Sequence, residues 1–167
     1  MTTFTRILVP TDFSSAADRA LEHARSLAEA FGASIHLLHV FDDPFTAAAY
    51  APEVFASIPP DYREAALAEA GRQLDARLGG QERREFGGTS ELVIGSPARE
   101  IVRYAAMHGI DLIVMGTHGR SGLAHLLLGS VAERVVRTAP CAVLTIREPA
   151  RNRDESTETD EQIGSSV

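Results

Sequence analysis

The chain contains no lysine: all sixteen of its basic residues are arginine. A P-loop lysine and a Schiff-base lysine are therefore excluded, and any bound phosphate has to be held by backbone amides, hydroxyls and arginine. Cysteine is almost absent as well. Cys141 stands alone, which rules out an internal disulfide and a cysteine-rich zinc site. No apolar run approaches the roughly 18 residues of a membrane-spanning helix, and the opening MTTFTRILVPTD has no basic-then-apolar signal pattern. A cytoplasmic protein with no membrane partner is expected. There is no excess of positive charge either. At a formal net charge of −7, the chain lacks the basic face that general nucleic-acid binding needs, so no nucleic-acid partner is expected.

What is present is a regular alternation of strand and helix patterns over a length suited to one domain, 167 residues. A chain of this size buries about 70% of the surface it would expose unfolded, enough for a core without metal or disulfide. Arg6–Pro10 (RILVP) reads as a buried strand. Ser14 or Ser15 then caps a helix carrying Ala17, Ala20, Leu21, Ala24, Leu27, Ala28 and Phe31 on one face, with Gly32 as its stop. Ser34–Phe41 is a second strand. The proline-broken stretch Asp42–Pro60 has no clean period and exceeds ordinary loop length, so it is either a packed loop or a lid or partner surface. Asp61 and Glu64 suggest a capping box for a helix with Leu67, Ala70, Leu74 and Leu78, stopped by Gly79-Gly80.

Arg83–Ile94 reads as a weaker strand interrupted by Gly87-Gly88, and Ser96-Pro97 opens a helix running to about His108. Asp111–Met115 is a fourth strand. A helix from Ser130 ends at Ala139, before Pro140, and Cys141–Arg147 forms the last strand. Residues 148–167 contribute −4 of the net charge, have no apolar period and are expected to be an acidic disordered tail beyond a folded domain of residues 1–147. Five strands separated by helices predict a single doubly wound α/β domain, a mostly parallel five-stranded sheet with helices on both faces. In such a sheet a ligand sits beyond the carboxyl ends of the strands where strand order reverses.

The first strand-to-helix turn, VPTDFSS, has no glycine, which removes the dinucleotide fingerprint G-x-G-x-x-G. The glycines lie instead after the fourth strand, in GTHGRSGLAHLLLGS. Gly116 and Gly119 would let main-chain amides approach a ligand, while Gly129-Ser130 would turn unpaired amides and a helix dipole toward an anion. Arg120 could add a bidentate phosphate contact. The competing reading is structural: Ser130-x-x-Glu133 is also a capping box, and glycines after a strand can simply shape a connection.

The spacing decides between them by a resemblance. Gly116, two residues, Gly119, nine residues, then Gly129-Ser130 is similar to the nucleotide-binding motif of the universal stress protein family. ILVPTDFS, DLIVMGTHGRSG and APCAVLTIR extend the likeness over essentially residues 4–147. The resemblance implies a strand order of 3-2-1-4-5 and an ATP site, with ADP or AMP as other occupants and Mg²⁺ as the accompanying ion. It implies adenosine near Pro10, Thr11, Asp12 and the backbone of Val40, Met115 and Gly116 beside ribose and phosphates, and phosphates on Gly119, Gly129, Ser130 and Val131. It also implies a homodimer formed through Ala142–Ile146, a regulatory role in stress responses, and hydrolysis that is slow at most.

Other candidates have two readings each. Asp12 is either a ligand for ribose or phosphate-bound magnesium or a helix-capping aspartate. His118 sits in the glycine stretch as a ligand contact or a solvent-facing residue, and His125 is expected to pack. His36 and His39, three apart in one strand, point to opposite faces and cannot share a metal. Cys141 has no activating base near it in sequence. Catalytic residues are not expected, because no serine, histidine and acid constellation is evident. Two rival functions remain open: an adenylate-handling enzyme of related architecture, and a nucleotide-free dimeric interaction module.

Overall fold

In the computed structural model, which describes residues 3–43, 61–117 and 129–147, five strands form one sheet of order β3-β2-β1-β4-β5. The strands are β1 (Arg6–Pro10), β2 (Ser34–Phe41), β3 (Thr89–Ile94), β4 (Leu112–Gly116) and β5 (Ala142–Ile146). Every pairing is parallel, so the sheet is wholly rather than mostly parallel. The helices are α1 (Ser15–Phe31), α2 (Tyr62–Arg77), α3 (Gly80–Glu85), α4 (Pro97–Met107) and α5 (Ser130–Thr138).

The apolar strands divide their residues between two cores because successive side chains leave a strand on opposite faces. Ile7 and Val9, Ile35 and Leu37, and Leu112 and Val114 join α1 and α2 in one core. Leu8, Leu38, Ile113 and Met115 join α4 and α5 in the other. Burying both faces is what the continuous apolar strands require.

Helix α1 begins where the Ser14 Oγ accepts from the Ala17 N–H at 3.3 Å and ends at Gly32, whose φ of 67° is the left-handed cap. Its buried face is mostly alanine, which lets it lie close on the sheet.

Three local expectations are corrected. Asp61 makes no side-chain cap, and its φ of −88° and ψ of −3° are helical rather than extended. Gly79-Gly80 begins a further helix instead of only ending one: the Glu82 carboxylate accepts from the Gly79 N–H at 3.0 Å, and Arg83 Nε donates to the Leu78 carbonyl at 3.0 Å. The third strand consequently starts at Thr89 rather than Arg83, because residues 80–85 are spent in α3. The segment 44–60 and the tail 148–167 lie outside the described residues.

Candidate functional site

Strand order reverses between β1, which leads to β2 on one side, and β4, which leads to β5 on the other. At the carboxyl ends of these strands lies a cavity of about 380 Å³. Nine of the sequence candidates line it together: Pro10, Thr11, Asp12, Val40, Met115, Gly116, Gly129, Ser130 and Val131. Gly119 and Arg120, with His118 and His125, fall outside the described residues.

The β1–α1 turn is tightly bonded. The Thr11 N–H donates to the Leu38 carbonyl at 2.8 Å and the Phe13 N–H to Thr11 Oγ1 at 3.0 Å. Ser14 donates twice to Asp12 Oδ1, from its N–H at 3.1 Å and its hydroxyl at 2.5 Å. Asp12 thus orders the turn ahead of the helix, while Ser14, not Asp12, supplies the cap.

Val40 offers its backbone as well as its side chain. Successive residues of a strand direct their N–H and C=O to opposite neighbours. Leu38 faces β1, where its carbonyl takes Thr11, and Phe41 faces β3, where its carbonyl takes the Gly95 N–H at 3.0 Å. Val40 therefore turns its amide toward the β1 side, past the point where β1 has ended.

Across the cavity, α5 starts at Gly129, whose φ of −69° and ψ of 154° are extended and whose N–H is taken by the Thr117 carbonyl at 2.7 Å. Glu133 is the first residue to donate back along the helix, to Gly129. The N–H groups of Ser130, Val131 and Ala132 have no intrahelical acceptor, and no side chain among the described residues caps them. Ser130-x-x-Glu133 is accordingly not the capping box that its spacing allows. Gly116 has a packing cause: a Cβ there would stand 2.9 Å from Ala16 Cβ.

The lining also includes Ala17, Leu38, Pro97, Ile101, Thr117 and Ala132, which were not among the sequence candidates. Pro97 and Ile101 follow β3, and the rule that ligands gather at strand carboxyl ends is the signal that reaches them. Leu38, Val40, Pro97 and Ile101 make an apolar slot, and Thr11, Asp12, Thr117 and Ser130 supply polar groups. Asp12 is the one acid among these lining residues.

His36, His39 and Cys141 lie off the cavity lining. His36 and His39 do face opposite sides of the sheet, His36 toward Tyr104 and His39 toward Phe13. Burial, with Asp111 in support, pushes the Cys141 thiol up, away from the thiolate a nucleophile needs. Among the described residues no group of three or more metal-ligating side chains occurs, and no helix is long and apolar enough to cross a membrane.

The fold and the cavity define a doubly wound α/β protein with a cavity at the topological switch point, lined by a helix N-terminus. The chain belongs to the universal stress protein family, whose profile matches residues 3–147. It is 35% identical over 153 residues to a universal stress protein of Methanocaldococcus jannaschii, across 89% of this chain and 85% of that one. The solved structure of the universal stress protein UspA from Lactobacillus plantarum is similar at a TM-score of 0.71 and 33% identity, over 88% of this chain and all of that one. A universal stress protein solved in complex with cAMP is similar at a TM-score of 0.56 and 27% identity, over 87% of this chain and 98% of that one.

Proposed function

We propose that this chain is a regulatory adenine-nucleotide-binding protein, with ATP its principal ligand and ADP or AMP alternatives. One observation carries the reading: three amides at the start of α5 that no side chain among the described residues caps line one cavity with Thr11, Asp12 and an apolar slot. Such a terminus attracts an anion through its N–H groups and its dipole. The dipole alone contributes about 0.3–1 kcal/mol at an exposed site, so the amides and Ser130 have to act together. The slot of Leu38, Val40, Pro97 and Ile101 suits a flat base, and the Val40 backbone can read its edge. In this reading Asp12 would meet a ribose hydroxyl and Met115 and Gly116 the sugar and phosphates, while Gly119 and Arg120, outside the described residues, are assigned to the phosphates from the sequence motif alone. That a relative was solved with cAMP supports the adenine class.

Magnesium fits only in part. Among the described lining residues Asp12 is the sole carboxylate, so the ion would be held by phosphate oxygens and water with one carboxylate beside them, a usual magnesium arrangement. When bound, the ion would neutralise phosphate charge.

Fast catalysis is not part of this reading. Among the described lining residues none is a dedicated base for an attacking water, so turnover is expected to stay near background. The proposed setting is the cytoplasm and the proposed assembly a homodimer through Ala142–Ile146.

Calorimetric titration of nucleotide-stripped protein with ATP, ADP and AMP, with and without Mg²⁺, tests the site. Saturable ATP binding that is lost in Gly129→Leu is expected. Absence of binding to folded wild-type protein would overturn it, and a robust hydrolysis rate abolished by Asp12→Ala would overturn the non-enzymatic reading.

A further inference from the structure

Phe13 is the one non-glycine residue with a positive φ among the described residues, at 66°. A left-handed conformation is unfavourable for a side chain with a Cβ and persists only where the surroundings impose it. Here the imposing contacts come from the face of the sheet opposite the cavity. Thr11 and Asp12 line the cavity, while the next side chain, Phe13, packs against the α1 and α2 core.

Two residues grip it there. The Phe13 ring stacks on His39, with centroids 4.3 Å apart and planes inclined by 28°. The Arg77 guanidinium lies over the same ring, 4.9 Å from its centroid, and Arg77 Nη2 donates to the Phe13 carbonyl at 3.3 Å. Asp18 in turn fixes Arg77, accepting from its Nε at 2.6 Å. His39 is buried at 7% exposure, and its Nδ1 is 2.8 Å from the Thr11 carbonyl. A carbonyl oxygen only accepts, so Nδ1 carries the proton and the tautomer is set. His39 therefore holds both ends of the turn, Thr11 by a hydrogen bond and Phe13 by stacking.

We infer that His39 and Arg77 are positioning residues that lock the Thr11–Ser14 turn from behind the sheet and so fix where Asp12 stands in the nucleotide site. The inference rests on the nucleotide reading for its functional consequence, but the lock itself is a property of the ligand-free turn. Released from the clamp, Phe13 relaxes to negative φ, the turn samples other arrangements, and each binding event has to restore the strained one. The expected loss of affinity is about tenfold, the size set by one residue's left-handed strain.

The test compares Phe13→Leu and His39→Leu with Phe13→Tyr and His39→Asn, in the full chain. Tyrosine keeps the stacked ring, and asparagine places an amide N–H near the Nδ1 position. Circular dichroism and thermal melting identify which variants are folded, and two measurements follow: amide hydrogen exchange at Phe13 and Ser14 without ligand, and ATP affinity by calorimetry. Expected are faster exchange and about tenfold weaker ATP binding in both leucine variants, with tyrosine within about twofold of wild type and asparagine, which keeps the bond to Thr11 but loses the stack on Phe13, between wild type and His39→Leu. Folded leucine variants with wild-type exchange and affinity would overturn the inference, as would tyrosine and asparagine variants as impaired as leucine. Should His39→Leu fail to fold, Phe13→Leu against Phe13→Tyr decides. If wild-type protein binds no ATP yet exchange responds as expected, the nucleotide reading fails while the lock stands.

Discussion

At Gly116 an added Cβ would meet the backbone of Ala16 as well as its side chain, at 3.1 Å and 2.9 Å. Neither neighbour can move far, since Ala16 opens α1 and is itself buried. Gly116→Ala is expected to lower stability by about 1–3 kcal/mol, the usual range for overpacking, with no ligand present. Urea denaturation checks this, and a midpoint equal to wild type would contradict it. Sequence pattern could assign Gly116 to a glycine motif but not to this contact, because the partner lies 100 residues earlier in the chain. His36 shows a second effect invisible in sequence. Its Nδ1 is 3.1 Å from the Tyr104 hydroxyl and 3.2 Å from Thr89 Oγ1. Burial, then His108 and Arg6, lower its pKa below the ordinary 6.5. The neutral ring is thus favoured in the folded state, so its stabilising effect is complete above about pH 6.5 and is lost as pH falls through the lowered value. His36→Asn should reduce the fall in unfolding free energy between about pH 7 and pH 5. An unchanged pH slope in urea titrations would refute the assignment.

Elements were legible where one period ran unbroken. β1 and β2 match their sequence bounds, and α1 ends at the glycine that marks its stop. The reading failed where glycines had two meanings: Gly79-Gly80 stops one helix and starts another, and the start depends on Glu82 reaching back to Gly79. The N-terminus of α5 was legible as a candidate anion site, but whether its amides were capped was not. Gly129 occupies the cap position with an ordinary φ of −69°, so replacing it strains no backbone. Gly129→Asp should supply the missing cap and gain a few tenths of a kcal/mol, while placing a carboxylate where the proposed phosphates sit. Stability and ATP affinity should then move in opposite directions. Thermal melting and calorimetry on the same sample read both, and a variant that melts higher while binding ATP normally would remove the phosphates from the α5 terminus.

For the whole molecule, alternation of strand and helix was enough to give the doubly wound class, because parallel strands need crossovers and crossovers cover both faces. The strand order itself came from the family resemblance, and the sheet has that order. Such a sheet leaves β3 and β5 as edges. The β3 edge carries Glu91, a charge that discourages strand addition, whereas Ala142–Ile146 has neither charge nor proline and leaves Leu144 38% exposed. This difference favours β5 for the proposed dimer. Ile146 faces β4, since its carbonyl accepts the Thr117 N–H at 2.9 Å; alternation then turns the Thr145 N–H outward. Thr145→Pro should delete an outward donor without breaking a bond to β4, a position where an edge strand tolerates proline. Sedimentation should give a dimer for wild type and for the control Thr145→Val, and a folded monomer for Thr145→Pro. A wild-type monomer would refute the dimer, and a dimeric proline variant would move the interface off this edge. The same Thr117 that bonds to Ile146 also accepts from Gly129 and lines the cavity. Loss of the dimer should therefore be read together with ATP affinity, since Thr117 links β5 to the start of α5.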